Sequence, residues 1–191
     1  KNGPNHHGLV KDNHMCFTGG EPMLKHNQEA IIDVMRQFMA ERNVPPSITI
    51  ETNGTQDLAF EEGFVTMIDD YVDSNNGELF WSVSPKLRTV SGEKAEKAIK
   101  PDVVKNYYDL SKNGQLKFVV NGTKECWKEV EDVIRSFRAI GINFPTWIMP
   151  VSATKEGQEA VAGKIATQAL KRGYKVSARV HCYLWGNVVG V

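Results

Sequence analysis

Short apolar segments with strand-like patterns alternate with longer segments of helical periodicity along most of the chain. Six segments are rich in apolar or β-branched residues and are predicted as strands: 14–18, 47–51, 79–83, 115–120, 146–149 and 175–180. Four segments carry apolar residues at helical spacing and are predicted as helices: 26–41, 101–112, 123–139 and 155–171. Because parallel strands need a crossover connection that is usually helical, this alternation predicts an α/β fold with a mainly parallel sheet.

Two stretches follow the pattern less well. Residues 64–68 are apolar and compatible with a strand, and residues 69–77 are predicted to form an acidic, asparagine-rich loop. The sequence leaves open whether residues 57–78 form a lid. Residues 88–100 are rich in charged side chains and are predicted to be solvated.

The composition is that of an ordinary globular protein and sets limits on its partners. Hydrophobic residues make up 41% of the 191 residues, and 23 basic residues balance 23 acidic ones. A net charge of zero gives no overall attraction to nucleic acid or to a membrane surface, and no stretch approaches the ~20 apolar residues that span a bilayer. Because the chain begins at Lys1 without a methionine or an apolar signal segment, we expect further residues upstream.

The three cysteines, Cys16, Cys126 and Cys182, are too widely spaced to match a zinc or iron–sulfur pattern. An odd number of cysteines in a chain without a secretion signal indicates reduced thiols, and we therefore expect a cytoplasmic protein. We expect each of them to act as a small buried side chain.

Polar residues follow the predicted strands, where parallel sheets place their binding sites. Thr18-Gly19-Gly20-Glu21 follows the first strand, Glu51-Thr52-Asn53 ends the second, and Ser84-Pro85-Lys86 follows the third. His181 comes directly after the last strand. The sequence therefore predicts one binding site at this edge of the sheet.

Two of these segments have a specific chemical argument. The Gly19-Gly20 pair lets the backbone approach a ligand closely because no Cβ obstructs it, and Glu21 can fix a cationic group of that ligand. The alternative is a tight turn with a surface glutamate. The Glu51 carboxylate can accept two parallel hydrogen bonds from an amidine-like edge, or it can be a solvated residue before a turn.

The other candidates have ordinary alternatives. Thr18 can be a strand-end hydroxyl bonded to backbone, Asn53 can serve its turn, and Lys86 can point into solvent. His181 can be a core histidine bonded to backbone. Lys117 is interpreted as a strand-edge lysine and left out of the site, since a lysine pointing inward would need an anionic partner.

Four of these segments resemble a known enzyme family. Gly19-Gly20-Glu21-Pro22 resembles the GGEP motif of the radical S-adenosylmethionine (SAM) superfamily, which holds the amino group of SAM. With its flanking residues, this motif reads FTGGEPML at 17–24 and resembles the 7-carboxy-7-deazaguanine synthase family. Three further segments resemble the same family: ETNGT at 51–55, SPK at 84–86 and HCYLWGNVVGV at 181–191. The resemblance runs in order from about residue 14 to residue 191.

The resemblance implies a fold and a set of site residues. The fold is a partial (β/α) barrel of the radical SAM type, a single domain over residues 1–191 that lacks the first strand and the cluster-binding loop. The residues that it implies for SAM are Gly19, Gly20, Glu21, Ser84 and Lys86. The residues that it implies for the substrate are Thr18, Glu51, Asn53 and His181, the last at the substrate carboxylate. It implies no catalytic side chain, because the radical is generated on SAM.

The resemblance also implies an activity and its cofactors. The activity is that of a lyase, a SAM-dependent radical ring contraction of 6-carboxy-5,6,7,8-tetrahydropterin to 7-carboxy-7-deazaguanine in queuosine and 7-deazapurine biosynthesis. It implies a [4Fe–4S] cluster, Mg²⁺, an electron donor such as flavodoxin, and a homodimer, with no direct contact to nucleic acid or membrane. The C-x₃-C-x₂-C loop that holds such a cluster is absent from this sequence, so no metal ligand is assigned.

Two alternatives remain open at this point. The first is a radical SAM activase that generates a radical on a protein partner. The second is a non-catalytic barrel fragment that binds SAM or a purine-like ligand.

Overall fold

The computed structural model of the protein describes residues 13–60, 63–186 and 188. Within these residues the strands are β1 (Met15–Phe17), β2 (Ser47–Thr52), β3 (Glu78–Val83), β4 (Gly114–Val120), β5 (Thr146–Pro150) and β6 (Lys175–Val176). The helices are α1 (Lys25–Ala40), α2 (Phe64–Asn75), α3 (Arg88–Ser91), α4 (Ala95–Ala98), α5 (Pro101–Leu110), α6 (Lys124–Ala139), α7 (Lys155–Lys171) and α8 (Val180–Trp185).

The six strands form one sheet in which every neighbouring pair is parallel and the spatial order equals the chain order. Crossovers between parallel strands are right-handed almost without exception. When the strand order never reverses, each right-handed crossover places its helices on the same face of the sheet. The α/β fold with a parallel sheet is therefore confirmed, and its arrangement is consistent with a partial (β/α) barrel.

The strands alternate between a buried face and a half-buried face. On β2, Ile48 and Ile50 are buried in the core, whereas Glu51 between Ile50 and Thr52 is half-buried. β4 shows the same alternation, with Phe118 buried and Lys117 half-buried. The buried face packs against the helices, so polar side chains of the opposite face remain free to form a site.

The core beneath the sheet is built around aromatic side chains. Trp81 of β3 and Tyr107 of α5 are fully buried and stack with ring centroids 4.5 Å apart and an interplanar angle of 11°. This stack fixes α5 against the middle of the sheet. Thr123 caps α6, as its position before the helix predicts, by accepting a hydrogen bond of 3.2 Å from the backbone N–H of Cys126.

The strand and loop predicted for residues 64–77 are wrong, because residues 64–75 form helix α2. Phe64, Met67, Ile68 and Tyr71 are all buried, at the i, i+3, i+4 and i+7 positions of one helical face. The acidic residues lie on the exposed face of the same helix. The short apolar run at its start obscured a helical period that becomes visible only when Tyr71 is included.

Two further predictions need correction, the extent of the last strand and the burial of Cys16. The last strand ends at Val176 rather than at residue 180, and residues 180–185 form helix α8. Residues 88–100 contain the short helices α3 and α4, although their charged side chains are exposed as predicted. Cys16 is exposed, whereas Cys126 and Cys182 are buried.

None of the helices in the described part of the chain is both long and apolar enough to cross a membrane. Residues 1–12 and 61–62, and four of the eleven residues of the family-like ending, at 187 and 189–191, lie outside the described residues. The division into a single domain stays a prediction.

Candidate active site at the carboxyl edge of the sheet

A pocket of about 240 Å³ lies where the strands end. Eight of the nine predicted site residues line it: Thr18, Gly19, Gly20, Glu21, Glu51, Asn53, Ser84 and Lys86. Sequence reasoning left out six other lining residues: Thr52, Ser82, Lys117, Val119, Met149 and Arg179. The carboxyl ends of the strands thus bring residues from distant parts of the chain around one cavity. The ligand roles of these residues stay predictions.

The loop after β1 depends on its two glycines. Gly19 and Gly20 have φ values of +90° and +55°, which side chains other than glycine rarely adopt. A Cβ at either position would meet no heavy atom within 4 Å, so the space beside this backbone is open. The loop therefore exposes its backbone to the pocket, as expected of a segment that binds a ligand through main-chain atoms.

Glu21 is fully engaged with its own chain. Its Oε1 accepts hydrogen bonds from the Thr52 hydroxyl at 2.6 Å and from the Met23 backbone N–H at 3.0 Å. Its Oε2 accepts one from the backbone N–H of Asn53 at 2.8 Å. Glu21 thus ties the glycine loop to the end of β2, and it supports the shape of the pocket rather than presenting a free carboxylate.

Glu51 is held from two sides. Lys117 Nζ donates to its Oε1 at 2.9 Å, and the Thr18 hydroxyl donates to its Oε2 at 3.0 Å. The two strands that carry Glu51 and Lys117 are separated by β3, where Ser82 faces Glu51 in the register. Lys117 therefore points inward and has the anionic partner that an inward lysine requires.

Burial raises the pKa of Glu51, but hydrogen bonding and charge from Lys117, together with the nearby hydroxyls of Thr18 and Ser82, outweigh it. The net effect holds this pKa below the ordinary value of 4.5. Partial burial and the charge of Glu51 raise the pKa of the neighbouring Cys16 thiol. Glu51 is consequently an anion throughout the neutral range, beside a neutral thiol.

Replacing Lys117 with methionine is expected to raise the pKa of Glu51. The hydrogen bond and the charge of Lys117, which oppose the effect of burial, are then absent. The carboxyl ¹³C shift of Glu51 followed through a pH titration measures this change directly. We also expect a loss of roughly 1–3 kcal/mol in the free energy of unfolding at neutral pH. The side chains are 17% and 40% exposed, which places the pair between exposed and fully buried ion pairs.

The pH dependence of this loss has a definite sign. A carboxyl with a lowered folded pKa contributes stability above its unfolded pKa, and that contribution disappears as pH falls through the folded value. The wild type should therefore lose its advantage over the variant below about pH 4.5. Lys128→Met is a control, since its pair with Asp132 is fully exposed to solvent and should contribute little to stability. An unchanged Glu51 titration in Lys117→Met would contradict the assignment.

The remaining predicted residues differ in what they contact. Asn53 accepts hydrogen bonds from the Thr55 backbone N–H at 2.9 Å and from its hydroxyl at 2.6 Å, so its side chain serves the turn. Ser84 lines the pocket half-buried, and Lys86 lines it with an exposed side chain. These two residues leave polar atoms available at the end of β3.

His181 is not among the residues that line the pocket. It lies on α8 with an exposed side chain, because the chain leaves the sheet after Val176. Arg179, two residues earlier, lines the pocket instead. The proposed contact of His181 with a substrate stays a prediction, without support from its position.

The side-chain alternation of the strands was the signal that could have found the missed residues. Lys117 and Val119 lie on the half-buried face of β4, and Met149 lies on the same face of β5. A polar or flexible residue on this face near a strand end falls at the pocket edge. Arg179 follows β6 outside any regular pattern and had no comparable signal.

A larger groove of about 540 Å³ lies beside α3, α4 and α6. Its Glu129 accepts hydrogen bonds from the backbone N–H groups of Arg88 at 2.7 Å and Thr89 at 2.9 Å, so this carboxylate caps α3. None of the predicted site residues lines this groove. The candidate site is therefore the smaller pocket at the sheet edge.

Three curated proteins are similar to this chain, and each is named 7-carboxy-7-deazaguanine synthase. The protein of Pyrobaculum aerophilum is 28% identical over 180 residues, which cover 93% of this chain and 67% of the relative. Those of Rhodopirellula baltica and Halobacterium salinarum are each 24% identical, covering 91% of this chain and 62% and 65% of the relatives.

The chain thus spans about two thirds of the length of the curated relatives that it matches. No protein-family model matches the chain. The family resemblance carried by the strand-end motifs is confirmed by the three similarities.

Proposed function

We propose that this chain, a relative of the 7-carboxy-7-deazaguanine synthases, forms the SAM- and substrate-binding part of an enzyme that converts 6-carboxy-5,6,7,8-tetrahydropterin into 7-carboxy-7-deazaguanine. One observation carries the proposal. A single pocket gathers the glycine loop, Glu51 and the Ser84/Lys86 pair from the ends of three successive strands. These are the segments that resemble the family.

The pocket fits SAM through its open glycine loop and two polar groups. The exposed backbone of Gly19 and Gly20 can accept hydrogen bonds from the ammonium group of SAM. Lys86 has the charge to bind the carboxylate of SAM, and Ser84 has a hydroxyl that suits the ribose. Glu21 contributes indirectly, by holding the loop against β2. When bound, SAM supplies the radical chemistry that the family resemblance implies.

The residues described here do not fit a metal centre. Among them there is no group of three or more His, Cys, Asp or Glu side chains placed to hold a metal ion. The sequence also lacks a C-x₃-C-x₂-C loop. No residue of the pocket is therefore assigned to a cluster or to Mg²⁺. The electron donor and the homodimer stay predictions as well.

Glu51 would bind the pyrimidine edge of the pterin. An ionised carboxylate has about four lone-pair sites, and Lys117 and Thr18 use one on each oxygen. The remaining sites can accept from N3–H and the 2-amino group of the ring, two donors on one edge. Lys117 keeps Glu51 charged and oriented for this contact. The protein's task is to hold the ring beside SAM and to exclude water.

Replacing Glu51 with glutamine is expected to weaken binding of 6-carboxy-5,6,7,8-tetrahydropterin by about 10–100-fold, the effect of losing a charge-assisted hydrogen bond of roughly 1.5–3 kcal/mol. The amide also presents an N–H group to a ring edge that consists of donors. Anaerobic calorimetric titration measures the change. SAM affinity is the internal control and should not move, since the SAM contacts proposed above are made by Gly19, Gly20, Ser84 and Lys86 and not by Glu51. Equal pterin affinity in both proteins would refute the ring contact.

The activity itself is tested on the protein together with whatever segment its gene encodes upstream of Lys1. The assay is anaerobic turnover with SAM, a reductant and 6-carboxy-5,6,7,8-tetrahydropterin, and the expected product is 7-carboxy-7-deazaguanine. Absence of the product would reject the specific activity. SAM binding without any pterin binding would favour the activase alternative.

A further inference from the structure

Arg179 places at the pocket a positive charge that no carboxylate of the described residues pairs. Its side chain is half-buried and lines the cavity after β6. Its one direct hydrogen bond within residues 13–60, 63–186 and 188 runs from Nε to the thioether Sδ of Met149, at 3.4 Å. A thioether is a weak acceptor, so most of the donors of this guanidinium are unused. Partly buried cations are costly to leave unpaired, and this one therefore indicates an anionic partner.

The other charges of the pocket do not supply that partner. Glu21 is used by three donors of its own chain, and Glu51 is paired with Lys117. Lys86, like Arg179, forms no ion pair with a carboxylate of the described residues. The pocket thus offers two available cations: Lys86, which follows the central strand β3, and Arg179, which follows the edge strand β6.

The two proposed ligands carry two carboxylates, one on SAM and one at C6 of the pterin. Lys86 lies near the end of β3, close in the chain to Ser84, and is assigned to SAM. Arg179 lies on the opposite side of the pocket from β2, with the strands that carry Lys117 and Met149 between them. In the pterin, the 6-carboxylate lies at the opposite end of the ring from the N3 and 2-amino edge.

We infer that Arg179 binds the 6-carboxylate of the pterin, so that Glu51 and Arg179 hold the two ends of the ring. This assignment rests on the proposed function. A planar guanidinium can bind a carboxylate with two parallel hydrogen bonds, which fixes the orientation of the ring as well as its position. The contact would make Arg179 the residue that distinguishes carboxylated from uncarboxylated pterins. It also explains how the substrate carboxylate can be bound although His181 does not line the pocket.

The test compares 6-carboxy-5,6,7,8-tetrahydropterin with 6-methyl-5,6,7,8-tetrahydropterin, which lacks the carboxylate. In Arg179→Met we expect about 10–100-fold weaker binding of the carboxylated ligand, the loss typical of a charge-assisted contact, and unchanged binding of the methyl ligand. Unchanged methyl-ligand binding also shows that the variant is folded. Arg179→Lys keeps the charge without the two parallel donors and should lie between methionine and wild type.

Two matched variants separate the alternatives. Lys86→Met should weaken SAM but not the pterins, and His181→Ala should change neither. If Arg179→Met weakens SAM and leaves the carboxylated pterin unchanged, the assignment to the pterin is overturned. The same holds if His181→Ala, and not Arg179→Met, abolishes the preference for the carboxylated ligand.

The wild-type protein distinguishes a failure of the proposed function from a failure of the Arg179 assignment alone. A wild-type protein that binds neither pterin rejects the proposed function, and the inference with it. A wild type that binds both pterins equally well rejects the inference alone. A preference of the wild type for the carboxylated ligand that disappears in Arg179→Met supports both.

Discussion

Replacing Glu21 with alanine is expected to abolish measurable SAM binding and to lower the free energy of unfolding by about 2–4 kcal/mol. The substitution leaves three donors without their acceptor: the Thr52 hydroxyl and the backbone N–H groups of Met23 and Asn53. It also releases the glycine loop from β2. Because Glu21 is only half-buried, water can hydrogen-bond to some of these donors in the variant. The expected loss in the free energy of unfolding is therefore smaller than the sum for three buried hydrogen bonds.

Chemical denaturation and calorimetric SAM titration measure the two effects. Glu21→Gln should be intermediate, since its carbonyl oxygen can replace one carboxylate oxygen while its N–H₂ faces the N–H of Asn53 or another donor. Glu93→Ala serves as a control at an exposed glutamate outside the pocket and should change neither quantity. Wild-type stability and SAM affinity in Glu21→Ala would show that this carboxylate does not hold the loop.

Replacing Trp81 with alanine is expected to lower the free energy of unfolding by about 3–5 kcal/mol, the range for a large buried aromatic side chain. Trp81 has no exposed surface, and its ring stacks on Tyr107. Its loss leaves a cavity between β3 and α5. The expected loss is large compared with the total stability of about 5–15 kcal/mol of an ordinary domain, so the variant should be close to unfolding at physiological temperature.

Trp81→Phe tests whether packing or hydrogen bonding explains the effect. The indole Nε1 is buried without a hydrogen-bond partner in the described residues, so removing it forfeits no bond. We expect Trp81→Phe to lose substantially less stability than Trp81→Ala in urea denaturation followed by circular dichroism. A loss below about 1 kcal/mol in Trp81→Ala would contradict the role of the Trp81–Tyr107 stack in the core.

The fold class could be predicted from the sequence because its signal is local. Each strand is a short apolar segment that stops at a turn residue, and most helices show their apolar face within one or two turns. The error at α2 has the same origin, since residues 64–68 alone look like a strand and Tyr71 is needed to see the helical face. The error at β6 arose because an apolar pattern continues beyond the two residues that pair with β5.

The part of the candidate site that depends on the backbone and on strand order could be predicted from the sequence. A parallel sheet brings the ends of its strands to one edge, so Thr18, the glycine pair, Glu51, Ser84 and Lys86 had to lie near one another once the fold was known. The positive φ of the glycines follows from the same local signal. Which donor reaches which oxygen is not encoded in the order of the strands.

By itself, the sequence determined the order of the six strands and of four of the eight helices in the described residues, the common edge of the site and the family that the chain resembles. Only the tertiary structure decided that Glu21 supports the loop, that Lys117 pairs with Glu51, and that Arg179 rather than His181 lines the pocket. Lys117 and Glu51 are 66 residues apart in the chain. They meet because the strand register aligns them and because their side chains lie on the same face of the sheet. Pairings of this kind depend on distances across the sheet, for which a linear pattern carries no signal.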